Sequence, residues 1–182
     1  VRTPATPAPG SKKIIVEEFF WYGCGHCYAF EPMLETWLKT KAADVEFVRV
    51  PNTLGRPVGM IHSKTFYTEE ALNLLDKGHR PFFDAIHQEH RPLETEEAIQ
   101  EFFTDKLGVM PDVFNSTFNG FTVDARARRA EELARQYGVA STPTLVVDGR
   151  WQINASMSQG FPEMLKVMDY LIDKARSERK KK

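Results

Sequence analysis

Cys24 and Cys27 are the only two cysteines in the 182 residues, and they stand in the run Cys24-Gly25-His26-Cys27. Three apart at the start of a helix, two thiols face one side within a single turn, which suits a disulfide that opens and closes. As a staple the bridge would achieve little, because a closed loop of four residues gives roughly 2 kcal/mol by chain entropy. A structural bridge would join distant segments. The chemistry indicated is therefore reactivity. The thiolate is the attacking species, and the unpaired amides and positive dipole end of a helix N-terminus favour it at Cys24, the expected nucleophile. Cys27, one turn deeper, is the expected resolving thiol. His26 can set an imidazolium or an N–H donor beside the Cys24 sulfur, the alternative being a solvated loop histidine.

Other uses of these cysteines fail on counting. Zinc needs four ligands, and there is no second C-x-x-C and no H-x₃-H. A c-type haem site needs histidine after the second cysteine, where Tyr28 stands. A cysteine hydrolase would use one thiol and leave the other unexplained. No metal or cofactor is expected.

The elements that must position the pair belong to an ordinary globular chain, with 24 Lys and Arg against 25 Asp and Glu, a net charge of −1 and 42% hydrophobic residues. That length implies one domain with room for a small insertion. The charge balance argues against nucleic-acid binding, and no apolar run reaches the ~18–20 residues of a membrane span. The chain opens at Val1 without a charged-then-apolar signal pattern, so any targeting peptide is expected to have been removed.

Residues 1–13, rich in proline, read as a flexible leader. Residues 14–21, β-branched and aromatic on both faces, read as a doubly buried strand in which Glu18 is the anomaly. A helix follows from about Cys24 to Lys41, with Pro32 expected to kink it, and then a strand over 45–51. Strand, helix, strand implies a parallel pair with a right-handed crossover. Amphipathic helices are predicted near 60–76, 81–89, 95–107, 111–118 and 123–137. Thr144–Val147 is a short strand, Asp148-Gly149 a hairpin turn and Trp151–Ile153 the return strand, before a closing helix over 161–176.

Taken together, Phe19-Phe20-Trp21-Tyr22-Gly23-Cys24-Gly25-His26-Cys27-Tyr28-Ala29-Phe30-Glu31-Pro32, the helical middle and Thr142-Pro143-Thr144-Leu145-Val146-Val147 resemble the DsbA family of thiol:disulfide interchange proteins. The resemblance extends over nearly the whole chain from Ile14. It implies an α/β thioredoxin fold with an inserted helical domain: 14–57 and 138–178 thioredoxin-like, 58–137 inserted, and 179–182 a basic tail. It implies that Ser141, Thr142 and Pro143 form the cis-proline loop packed against the disulfide, pairing with an extended substrate peptide. Glu18 would match a buried acid beneath the disulfide and Arg49 its basic partner, a pair that tunes the thiols; the alternative is two strand-end charges in solvent. Gly25 stands where DsbA proteins commonly carry proline, giving the Cys-Gly-His-Cys sequence associated with protein disulfide isomerase. The DsbA and isomerase potentials differ by about 60 mV, or about 2.8 kcal/mol.

The function implied is donation of the Cys24–Cys27 disulfide to unfolded or reduced secreted proteins in the periplasm, by a monomer re-oxidised by a membrane, quinone-linked, DsbB-like oxidase. An isomerase or reductase of the same fold is the first alternative and a non-catalytic peptide-binding domain the second. His87-Gln88-Glu89-His90 fits no metalloprotease spacing and reads as a solvated helix end. The two N-x-[ST] triplets, at Asn115 and Asn154, are of a kind common by chance. The tail from Arg179 reads as solvated and favourable to the helix dipole.

Overall fold

The computed structural model describes residues 13–180. The expected leader lies outside the described residues except for Lys13, as do Lys181 and Lys182 of the basic tail. In chain order the elements are β1 (Ile14–Phe20), α1 (Gly25–Thr40), β2 (Val45–Pro51), α2 (Pro57–Ala71), α3 (Leu75–His87), α4 (Glu96–Leu107), α5 (Pro111–Phe118), α6 (Phe121–Tyr137), β3 (Thr144–Val147), β4 (Trp151–Asn154) and α7 (Phe161–Lys180). They fall into two compact units. One holds the described residues up to Phe20, Ala29–Val50 and those from Leu133; the other holds Trp21–Tyr28 and Pro51–Glu132.

The first unit is built on a sheet of order β2-β1-β3-β4. With neighbours on both sides, β1 is buried at every position. It pairs antiparallel with β3, Val16 opposite Val147 and Glu18 opposite Leu145, and β3 pairs antiparallel with β4. Asp148 and Gly149 both take positive φ, 54° and 64°, and Arg150 N–H donates to Val147 O at 3.0 Å. That is the mirror-image turn whose twist suits a hairpin. Alternation sends Val16 and Glu18 to one face and Ile15, Glu17 and Phe19 to the other. On the first face Val16, Leu145 and Val147 pack with Phe30 and Leu34 of α1 and with Met164, Met168 and Ile172 of α7. The i, i+4, i+8 spacing on α7 makes one apolar stripe, and each such buried side chain contributes about 1.5–3 kcal/mol. On the second face Phe19 meets the Tyr137 ring edge-on at 5.9 Å. Helix α1 continues through Pro32. Helix α7 passes its expected end at Arg176, and Arg179, exposed as the sequence reading has it, is ion-paired with Asp148 and donates to Lys13 O at 3.0 Å.

The second unit has an aromatic core. Phe82 meets Phe102 at 5.1 Å, Phe103 meets Phe114 at 4.8 Å, and Tyr22 inserts between Phe82 and Phe83 at 4.7 and 4.9 Å. Helix α4 is capped at both ends, by Thr95, which accepts from Ala98 N–H, and by Gly108 in the left-handed region. The α2–α3 boundary differs from the sequence expectation. The break comes at Asn73, with φ 56°, and Pro81 lies inside α3. An interior proline forfeits one backbone hydrogen bond, but its neighbours Phe82 and Phe83 are fully buried, and that burial outweighs the loss.

Candidate active site

Strand β1 ends at Phe20 and the chain turns sharply, Cys24 N–H donating to Trp21 O at 3.0 Å. Gly23 is required there by close approach, since a Cβ would lie 2.3 Å from the Trp21 indole. Cys24 then acts as the N-cap of α1: its carbonyl accepts from Tyr28 N–H at 3.1 Å, and its Sγ accepts from Cys27 N–H at 3.2 Å. A sulfur in the place that Ser or Asp usually takes satisfies an orphan donor of the first turn, and it does so best as a thiolate. Cys24 is 9% exposed and Cys27 is fully buried, so an incoming sulfur reaches Cys24 first. Gly25 and His26 are exposed in the same turn.

The residues behind this turn are polar and paired. Trp21 Nε1 donates to His62 Nδ1 at 2.9 Å, and His62 Nε2 lies 2.7 Å from Leu93 O. The Tyr22 hydroxyl donates to Glu69 Oε2 and meets His79 Nδ1, both at 2.8 Å. Burial pushes the Glu69 carboxyl well above the usual range against the Tyr22 hydrogen bond, which pulls it down. His87 corrects the sequence reading of a solvated helix end. It is half-buried, stacks on Tyr28 at 4.8 Å and reaches Tyr22 O at 2.7 Å.

In the sheet unit, Ser141, Thr142 and Pro143 form the loop before β3, closed by Thr144 Oγ1 donating to Ser141 O at 2.7 Å. The Thr142–Pro143 peptide is cis. Glu18 and Arg49 meet as an ion pair at 3.5 Å, with Glu18 wholly buried and Arg49 20% exposed. The stronger partner is one that sequence reasoning missed: Arg49 Nη2 donates to the buried Glu31 at 3.0 Å. Position 31 continues the buried stripe of Cys27 and Leu34 at helical spacing, which was the available signal. Glu17 was missed too. It is 1% exposed, and burial raises its carboxyl to about 7 against a hydrogen bond from Tyr137.

A C-x-x-C pair capping the first helix after a central strand, with a cis-proline entering a neighbouring strand, defines a dithiol–disulfide oxidoreductase of thioredoxin fold with helices inserted into it. A family profile described as a DSBA-like thioredoxin domain matches residues 61–168. The thiol:disulfide interchange protein DsbA of Pseudomonas aeruginosa is 41% identical over 179 residues, covering 97% of this chain and 84% of that one. The Azotobacter vinelandii protein of the same name is 37% identical over 171 residues, 94% and 79% of the two chains. The crystal structure of P. aeruginosa DsbA matches with a TM-score of 0.89 at 40% identity, over 98% of this chain and 91% of that one. The Xylella fastidiosa oxidoreductase DsbA matches at 0.85 and 32% identity, over 93% and 90%. The chain belongs to the DsbA family, and it is a thiol:disulfide oxidoreductase.

Proposed function

We propose that the chain works as a net oxidant of protein dithiols in the bacterial periplasm. The observation that carries this direction is the hydrogen bond from Cys27 N–H to Cys24 Sγ, because a donor aimed at the sulfur favours the thiolate and so favours giving the disulfide away. In the oxidised protein a substrate thiolate attacks Cys24 Sγ. The Cys24–Cys27 bond breaks and its electron pair leaves on Cys27. A second substrate thiolate then attacks the substrate sulfur of the mixed disulfide, a substrate disulfide forms, and Cys24 departs as a thiolate on its helix cap. The protein gains the two electrons the substrate loses. His26 supplies a proton or positive charge beside Cys24. The edge at Ser141, Thr142 and Pro143 receives an extended substrate segment by strand addition. Glu18 and Arg49, with Glu31, tune the thiols. The partners are reduced secreted proteins and a membrane, quinone-linked, DsbB-like oxidase, and the working form is a monomer.

Gly25 gives the isomerase alternative its one specific support, since it completes a Cys-Gly-His-Cys sequence. The test supplies the oxidised protein to a reduced, unfolded multi-cysteine substrate and the reduced protein to a scrambled one. Fast oxidation with poor unscrambling is expected; efficient unscrambling with slow oxidation transfers the assignment to an isomerase. Cys24→Ser should abolish both reactions, and a variant that keeps its function would point to a peptide-binding module.

A further inference from the structure

The protonation state of His62 is fixed by its two partners. The Trp21 indole can only donate, so His62 Nδ1, 2.9 Å from it, must present a lone pair. The Leu93 carbonyl can only accept, so Nε2, 2.7 Å away, must carry the hydrogen. His62 is therefore the neutral Nε2–H tautomer, 3% exposed, with the rings of Trp21, Tyr22 and Phe82 within 6.2 Å of its own.

Trp21 is in turn held on several sides. Its ring lies where a Gly23 Cβ would be, the Arg56 guanidinium sits 5.2 Å from its centroid, and its backbone carbonyl receives the N–H of Cys24. The Trp21–His62 hydrogen bond thus ties α2 to the turn that presents the nucleophile. We propose that His62 is a positioning residue for thiol–disulfide exchange: neutral, it anchors Trp21 and with it the turn and helix cap around Cys24, and protonation at Nδ1 sets N–H against N–H and releases that anchor. The inference rests on the oxidoreductase reading of Cys24 and Cys27.

Burial pulls His62 below the ordinary imidazole range. The Leu93 carbonyl and Glu94 favour its proton and His87 opposes it, while the Tyr22 ring lies 6.2 Å away and Arg56 sits over Trp21. The anchor is therefore present at neutral pH and lost on acidification. Its loss weakens the dithiol form more than the disulfide form. In the dithiol an oriented amide holds the sulfur, whereas in the disulfide a covalent bond does.

The test equilibrates the protein with glutathione, two glutathione thiols and the protein disulfide exchanging for one glutathione disulfide and the protein dithiol. Wild type, His62→Phe, Trp21→Phe and the double variant are compared from neutral to mildly acidic pH. Trp21→Phe removes the indole N–H while keeping a ring for Gly23 and Arg56, so it decides the matter even if His62→Phe does not fold. At neutral pH each single variant should move the equilibrium toward the protein disulfide by about threefold to tenfold, the worth of one hydrogen bond. The double variant should move it no further, and the gap to wild type should close as pH falls through the His62 titration. An unchanged equilibrium, additive single effects or a gap indifferent to pH overturns the inference. A wild-type protein that does not equilibrate with glutathione overturns the oxidoreductase reading beneath it.

Discussion

Arg49 Nη2 donates to Glu31 Oε2 at 3.0 Å, closer than the 3.5 Å at which Arg49 Nε meets Glu18. One guanidinium thus serves two carboxylates, both wholly removed from water. Such a cluster is held by its cation, and removing that cation strands buried negative charge. Arg49→Met should lower stability by about 3–5 kcal/mol in urea unfolding, and adding Glu18→Gln and Glu31→Gln to it should recover most of the loss. A drop below about 1 kcal/mol, within the range of an exposed ion pair, would show that the carboxylates do not depend on Arg49.

Glu17 gives the opposite pH signature from a paired acid. Burial lifts its carboxyl from an ordinary 4.5 to about 7, with the Tyr137 hydrogen bond acting against the rise. The folded state therefore holds a proton that the unfolded state gives up earlier. The associated stability is fully present below the unfolded value and is lost as pH rises through about 7. That displacement corresponds to about 3 kcal/mol. Glu17→Gln keeps an acceptor for Tyr137 and removes the titration. Unfolding free energies across pH 5 to pH 8 should fall less steeply in the variant, and parallel curves would place the carboxyl in water. Glu69, also raised by burial, slopes the same way in both proteins and cancels in the comparison.

What was legible in the sequence was local. β1 and β2 are β-branched runs closed by a turn or a proline, and Cys24, which caps α1, and Cys27, whose N–H its sulfur accepts, lie within four residues. Glu17 and Glu31 were within reach, since the first lies on a strand recognised as doubly buried and the second stands at helical spacing from Cys27 and Leu34. The α2–α3 break was hidden because Leu72, Leu74 and Leu75 carry apolar periodicity across it while only Asn73 turns the chain. His62 and Glu69 gave no signal. Their partners, Trp21 and Tyr22, are 41 and 47 residues away, and a polar residue on an amphipathic helix does not announce which side chain it will meet.

The two thiols should differ in reactivity. Cys24 accepts an amide hydrogen bond at the helix N-terminus and is the more exposed, while Cys27 is fully buried. Alkylation of the reduced protein at mildly acidic pH should modify Cys24 almost alone, as read by peptide mapping. Cys27→Ser should then accumulate mixed disulfides with substrate, because the resolving sulfur is gone. Equal labelling of both cysteines would remove the assignment of roles.

Gly25 is the first helical residue of α1, is exposed, and has nothing within 4 Å of the place its Cβ would occupy. Proline is favoured at that position, where its missing N–H is one of the orphans and its fixed φ suits the helix. Cys24, as the cap, is expected to have the extended backbone that a following proline demands. Gly25→Pro should therefore fit without strain and stabilise the protein by about 0.4–1 kcal/mol, chiefly by restricting the unfolded chain. The gain should appear in the oxidised and reduced proteins alike, since it does not depend on the state of the sulfurs, and thermal unfolding of both forms measures it. A gain confined to one redox form would show that the glycine acts on the thiols through the freedom of the turn. A loss in both forms would mean that the first turn of α1 does not have the backbone geometry of a helix start.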